Sequence, residues 1–184
     1  MYLLSKASQL LTNAHFYIIL AILCFVISSG KKYVNISRIV KAYYEEFIYK
    51  NRSTILIIIV IPVCLANALN LEIVLDEKTT ETICVIISIL MSLFFTYLSY
   101  FQDSEKKEYE DYNFKRIHDQ YLKETKAVAS YEILISVLLL VICFVYPMIK
   151  NGLIKEFISG IVYFLLFHML MNLLILLKRH NNNL

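Results

Sequence analysis

Long apolar stretches alternate with short polar ones along this chain, and their lengths are those of membrane-spanning helices. A spanning helix needs about 17–25 mostly apolar residues. Five segments meet or approach this length: 8–29, 54–71, 82–101, 131–149 and 157–177. The first of them is strictly apolar only over 14–27. The pattern therefore predicts four to five transmembrane helices.

The composition indicates the same class of protein. Of the 184 residues, 59% are hydrophobic and 18% are charged, whereas a soluble domain is about 45–50% apolar and about 25% charged. A single small core cannot remove that much apolar surface from water. With 3 Gly and 2 Pro, the chain is neither disordered nor collagen-like. We expect an all-α integral membrane protein, a single helical bundle of four to five transmembrane helices with cytoplasmic helical extensions.

The basic residues predict the orientation, because Lys and Arg are in excess on the cytoplasmic side. Segment 30–53 holds six of them, 72–81 one, 102–130 six and 150–156 two. Segments 30–53 and 102–130 and the basic C-terminus are therefore expected in the cytoplasm. The chain is predicted to be a multi-pass protein of the plasma (inner) membrane, with its N-terminus outside if the first segment spans.

The first segment has a second interpretation. Its small residues Ser28, Ser29 and Gly30 also fit the cleavage site of a signal peptide. Lys31 and Lys32 follow the apolar run instead of preceding it, which favours a retained helix.

Both cytoplasmic segments are predicted to be helical. Between Pro62 and Pro147 there is no Gly or Pro, so the third span can continue as one helix over 82–126. Segment 30–53 has an amphipathic pattern, and we expect it to lie in the membrane interface or, preferably, to pack on the long polar helix. These segments are either solvated packing helices or a surface for a partner or ligand, with the candidate residues Lys31, Lys32, Arg38, Lys41, Glu108, Glu110 and Asp111.

Ionisable groups inside a membrane are costly and usually mark function. No Asp, Glu, Lys or Arg is predicted in the middle of a span, and Glu132 is placed at the start of the fourth. This pattern argues against a proton pump, a voltage sensor and an ion-coupled carrier. The histidines lack metal-ligand spacing, the cysteines lie in separate segments, and no nucleotide or catalytic motif is present. We therefore expect no enzyme activity, no metal and no cofactor.

Two spans carry a stripe of small or polar residues with a period of four. One stripe is Cys84, Ser88, Ser92 and Thr96, and the other is Gly160, Phe164, His168 and Asn172. Small and hydrogen-bonding residues let membrane helices pack closely. Each stripe is either a packing face within one subunit or a pore lining or subunit seam. The candidate residues are Ser88, Ser92, Thr96, His168 and Asn172.

The middle of the chain resembles a known family. An amphipathic helix over 31–52 precedes two spans with a short outer loop, and the charged stretch SEKKEYEDYNFKRIHDQYLKE follows. This layout over 31–126 resembles the SLATT family, two-span proteins paired with nucleotide-signal synthases in bacterial anti-phage systems, and implies a pore-forming effector. The membrane subunit of the Kiwa defence pair is similar in layout too. Neither resemblance assigns a role to a numbered residue.

Three functions are weighed from these features. The first is a homo-oligomeric membrane effector that forms a regulated pore, and the second is a membrane-anchored sensor or scaffold for a cytoplasmic protein. The third, a membrane enzyme or carrier, is disfavoured by the missing charges. Expected partners are lipid, further copies of the chain, and a cytoplasmic protein or small signalling ligand. Nucleic acid is not expected, except a short oligonucleotide at a local basic cluster such as Lys31, Lys32, Arg38 and Lys41.

Overall fold

All regular structure in the described part of the chain is helical. The computed structural model describes residues 35–49, 55–104 and 112–182, and the chain divides into two units, Met1–Val40 and Lys41–Leu184. The helices are α1 (Ile36–Tyr43), α2 (Ile61–Glu72), α3 (Glu77–Ser104), α4 (Tyr112–Val145) and α5 (Gly152–Asn182). A π-helical turn, Tyr44–Ile48, follows α1, and a second one, Leu56–Val60, precedes α2.

In the first unit, the described residues form the beginning of α1. The Asn35 side-chain Oδ1 accepts a hydrogen bond from the Arg38 backbone N–H at 2.9 Å. This is the usual way in which an Asn caps a helix and satisfies one of its free amides.

In the second unit, α2 to α5 pack as antiparallel neighbours. The Tyr146 hydroxyl, just beyond α4, donates to the Leu75 carbonyl just before α3, at 2.9 Å. The Asn70 amide near the end of α2 donates to the Glu156 carbonyl near the start of α5, at 3.2 Å. α3 therefore pairs with α4, and α2 pairs with α5.

Helices α3, α4 and α5 are each long and apolar enough to cross a membrane. The apolar helical stretch Leu56–Glu72 is shorter than these three. Large apolar side chains cover much of the outer surface, and Leu153, Phe144 and Phe157 are each more than 70% exposed. Exposed apolar area on this scale is typical of a membrane-facing surface. The predicted span 8–29 lies outside the described residues.

Residues 112–126, part of the polar segment between the third and fourth predicted spans, belong to a different helix from the one that we predicted. The sequence favoured one continuous helix over 82–126, but α3 ends at Ser104 and α4 packs back along it. The polar stretch from Tyr112 therefore continues into the fourth span. This stretch lacks Gly and Pro, so its sequence allows it to extend either span. In the structure it is part of α4, in which Val128 and Ala129 are fully buried.

The extended link between α2 and α3 is held by side chains of the other helices. The Leu75 N–H donates to the Ser159 Oγ at 3.2 Å, and the Leu75 carbonyl accepts from Tyr146. Leu75, Tyr146 and Ser159 are all buried. A backbone that leaves helical geometry in apolar surroundings needs such partners. These two bonds hold together the start of α3, the end of α4 and the start of α5.

Asp76 caps the start of α3, and its charge makes this cap sensitive to acid. Its Oδ1 accepts from the Thr79 N–H at 2.7 Å. Hydrogen bonds from the Thr79 side chain and backbone hold the pKa of the Asp76 carboxyl below its ordinary value. A lowered folded-state pKa stabilises the fold above the ordinary Asp pKa, and this contribution is lost as the pH falls through the folded value.

We therefore expect Asp76→Ala to lower the melting temperature at neutral pH, with a difference from the native chain that shrinks in acid. Thermal unfolding in detergent at several pH values measures this. Asp76→Asn is the control, because it keeps the cap and removes the titration. An equal loss for Asp76→Ala at neutral and acid pH would contradict the assignment.

Candidate functional site

A buried polar cluster joins four segments of the second unit. Tyr43 enters it from the end of α1, Glu132 from α4, and His168 and Asn172 from α5. The π-helical turn before α2 contributes the carbonyl of Ile58. Glu132 and Asn172 are fully buried, and Tyr43 and His168 are 3% and 6% exposed. These polar groups must therefore satisfy one another within the protein.

Asn172 lies at the centre of the cluster. Its Nδ2 is 3.0 Å from the Tyr43 hydroxyl and 3.1 Å from the His168 Nε2, and it also donates to the Glu132 Oε1. Its Oδ1 accepts from the Tyr43 hydroxyl at 3.3 Å. An amide nitrogen carries only two hydrogens, so three acceptors share two donors. Any change in the protonation of one neighbour alters the bonds of the others.

The ring of His168 has a defined tautomer. Its Nδ1 is 3.0 Å from the Ile58 carbonyl oxygen, and a carbonyl can only accept. Nδ1 therefore carries the hydrogen, and in a neutral ring Nε2 is an acceptor. This Nε2 faces Asn172 and lies 3.4 Å from the Glu132 Oε1.

Pro62 explains why the Ile58 carbonyl is available to His168. In an α-helix the carbonyl of residue 58 would accept from the N–H of residue 62, but proline has none. A neighbouring helix commonly supplies the missing donor inside membranes. Here His168 of α5 does so, and the π-helical turn Leu56–Val60 lies at the same point. Such turns often occur at functional sites.

Tyr43 connects the cluster to the amphipathic segment. Its ring stacks on Tyr131 of α4 with centroids 4.0 Å apart and planes 4° apart. Burial, together with the nearby Glu132 carboxyl, raises the pKa of the Tyr43 phenol, so the phenol stays neutral. Phe47, one helical turn further on, is fully buried. Residues 43–47 of this segment therefore pack on α4.

The cluster includes a residue that the sequence analysis did not single out as a candidate. The sequence placed Glu132 at the start of the fourth span. In the structure α4 begins at Tyr112, so Glu132 lies well inside a 34-residue helix and is fully buried. The signal that could have found it was the pairing of a lone acid in one apolar run with His168 and Asn172, four residues apart, in another.

The two stripes have different environments. Ser88, Ser92 and Thr96 are exposed on α3, and each hydroxyl donates to the carbonyl four residues earlier, at 2.8–3.0 Å. The first two line a shallow groove with Cys84. On α5, His168 and Asn172 are buried and bond to other segments of the same chain.

Of the candidate partner-binding residues, Arg38 and Lys41 are described, and both are exposed. The Lys41 Nζ is 3.6 Å from the Glu45 Oε1. A pair this exposed contributes little to stability. The other candidates lie outside the described residues: Lys31, Lys32, Glu108, Glu110 and Asp111.

Within residues 35–49, 55–104 and 112–182, no group of three or more His, Cys, Asp or Glu is placed to hold a metal ion. Comparison with protein families, curated proteins and solved structures finds no match for this chain.

Proposed function

We propose that this protein is a homo-oligomeric membrane effector that forms a regulated pore or channel, in bacterial anti-phage defence as its layout implies. The supporting observation is the exposed stripe of Ser88, Ser92 and Thr96 on α3. Exposed Val85 and Ile89 lie beside it, so the stripe belongs to the face that α3 turns away from its own bundle. That face is open to a second copy of the chain.

The chemistry of the stripe suits a water-filled path. Each hydroxyl hydrogen is used within the helix, so the stripe can face lipid in a single subunit at low cost. The hydroxyl oxygens keep lone pairs for water or cations. A symmetric ring of copies repeats the same contact around an axis, and placing α3 at that axis brings the stripes together. Conduction is then expected to depend on the small size of these side chains.

The triple variant Ser88→Leu, Ser92→Leu, Thr96→Leu is expected to lose most of its current, because three larger apolar side chains would narrow and dry the path. The measurement is single-channel current of the purified protein in planar bilayers, with the oligomeric mass determined alongside. The control is Val137→Leu with Val141→Leu, two exposed positions on α4. Unchanged current in the triple variant, or equal loss in the control, would argue against a pore lined by α3.

The alternative proposal is a membrane-anchored sensor or scaffold that recruits and regulates a cytoplasmic protein. The exposed Lys41 and Glu45 next to the buried Tyr43 favour it, because a partner bound there would act directly on the cluster. Under this alternative the triple variant keeps its partner. Charge reversal at Glu108, Glu110 and Asp111 then abolishes partner capture, whereas a pore keeps its current.

A further inference from the structure

We propose that Glu132 and His168 form a proton-binding site that holds the segment 41–48 on the bundle, and that a proton on His168 releases this segment. In the held state Glu132 is a neutral carboxylic acid and His168 a neutral imidazole. The segment 41–48 carries Tyr43 and Phe47 and is called the Tyr43 segment below. The proposal concerns the single chain and does not depend on pore formation.

The geometry of the held state supports neutral partners. The His168 Nε2 faces the Asn172 Nδ2, a donor, at 3.1 Å, a contact that fits an accepting Nε2 and an uncharged ring. The distance of 3.4 Å between Nε2 and the Glu132 Oε1 is longer than the about 2.7–2.9 Å of a charge-assisted bond. An ionised Glu132 would then be a fully buried carboxylate without a cation, which is very costly.

The second carboxyl oxygen of Glu132 is consistent with this protonation state. Its Oε2 is buried and has no hydrogen-bond partner. A bare anionic oxygen in that position would lose its hydration without compensation, whereas a carboxylic acid loses much less. The carboxyl group therefore keeps its proton and binds Asn172 through Oε1.

A proton from solvent on the His168 Nε2 breaks this arrangement. Nε2–H and the Asn172 Nδ2–H become two donors facing each other, and the ring gains a charge in a buried site. Asn172 has to turn away, and it is also the hydrogen-bond partner of the Tyr43 hydroxyl. The Tyr43 segment then loses the hydrogen bonds between the Tyr43 hydroxyl and Asn172.

The groups that face His168 indicate that His168 itself is the group that responds to pH. From α4 it faces Glu132 at 3.4 Å and the Tyr131 ring at 6.0 Å between centroids. From α1 it faces the Tyr43 ring at 6.3 Å, and the turn before α2 presents the Ile58 carbonyl. Both tyrosines are neutral phenols over the pH range in which an imidazole titrates.

A nitroxide label at Tyr44→Cys tests the release, because position 44 is 56% exposed and adjoins Tyr43. The four native cysteines are first replaced by Ala, and the full chain is studied in nanodiscs from about pH 8 to about pH 4. We expect the motion of the nitroxide to be restricted at neutral pH and fast in acid. A label at Lys78→Cys, at the other end of the bundle, should not change.

Two substitutions assign the trigger. His168→Gln keeps a donor for the Ile58 carbonyl and cannot be protonated, so the label should stay slow throughout. Glu132→Gln mimics the neutral acid, so the label should be slow at neutral pH and mobile in acid. The nitrogen resonance of His168, identified by its loss in His168→Gln, should titrate with the same midpoint as the label mobility.

Three results would overturn the proposal. They are a native label that stays slow in acid, a label that is released in His168→Gln, and a label already mobile at neutral pH in Glu132→Gln. The last result would mean that an ionised Glu132 holds the segment. Elution as one species from a sizing column and an unchanged helical signal at neutral pH confirm that each variant is folded.

Discussion

Replacing Asn172 with leucine is expected to destabilise the bundle by about 3 kcal/mol. A single interhelical hydrogen bond in a membrane protein contributes on average only about 0.6 kcal/mol and at most about 1.7 kcal/mol. Asn172, however, bonds to Tyr43, Glu132 and His168 at once. Leucine leaves all three buried groups without this partner, and each must then break its packing or stay unsatisfied.

The measurement is the free energy of unfolding in lipid bicelles. The matched control is Asn67→Leu, the same substitution at an exposed position on α2, which should change stability by less than about 0.5 kcal/mol. If the two variants lose similar stability, or if Asn172→Leu is neutral, Asn172 does not hold the cluster together.

The second large effect is expected for Phe94→Ala. Phe94 on α3 is fully buried, whereas its neighbour Phe95 is 47% exposed. Truncation of a buried Phe in a soluble core costs about 3–5 kcal/mol. Lipid is as apolar as the core, so the transfer contribution largely disappears and the cavity remains. We expect a loss of about 2 kcal/mol, below the range for a soluble core because of this difference.

Phe95→Ala serves as the control for this prediction. It removes the same atoms from the same helix, but from a face that lipid can fill, so a loss below about 0.5 kcal/mol is expected. Unfolding in bicelles compares the two. A larger loss for Phe95→Ala would mean that the exposed face of α3 is itself buried in an assembly, and would support the proposed oligomer.

The two predictions address different features of one bundle. Phe94 tests how the apolar helices pack, and Asn172 tests how the polar cluster fixes them. The proposed pore uses the outer face of α3, whereas the proposed proton site lies between α1, α4 and α5. The Tyr43 segment carries the exposed Lys41 and Glu45 on one side and Tyr43 in the cluster on the other. A signal received by this segment would reach the membrane helices through Tyr43.

The sequence by itself determined the class of structure. Long apolar runs and few Gly and Pro predict helices with an apolar surface, because a backbone in lipid must satisfy its own hydrogen bonds. Helices α3, α4 and α5 confirm this for three of the predicted spans. The period of four along each helix also identified the two stripes, since residues four apart share a face.

Only the tertiary structure decided which faces meet. The stripes on α3 and α5 have the same period of four, but Ser88, Ser92 and Thr96 are exposed on α3 whereas His168 and Asn172 are buried on α5. Residues 112–126 could extend either span, and in the structure they form the beginning of α4. Glu132, His168 and Tyr43 are distant in sequence, and no local pattern brings them together. Their contact arises from antiparallel packing of helices over many residues, which periodicity along one helix does not encode.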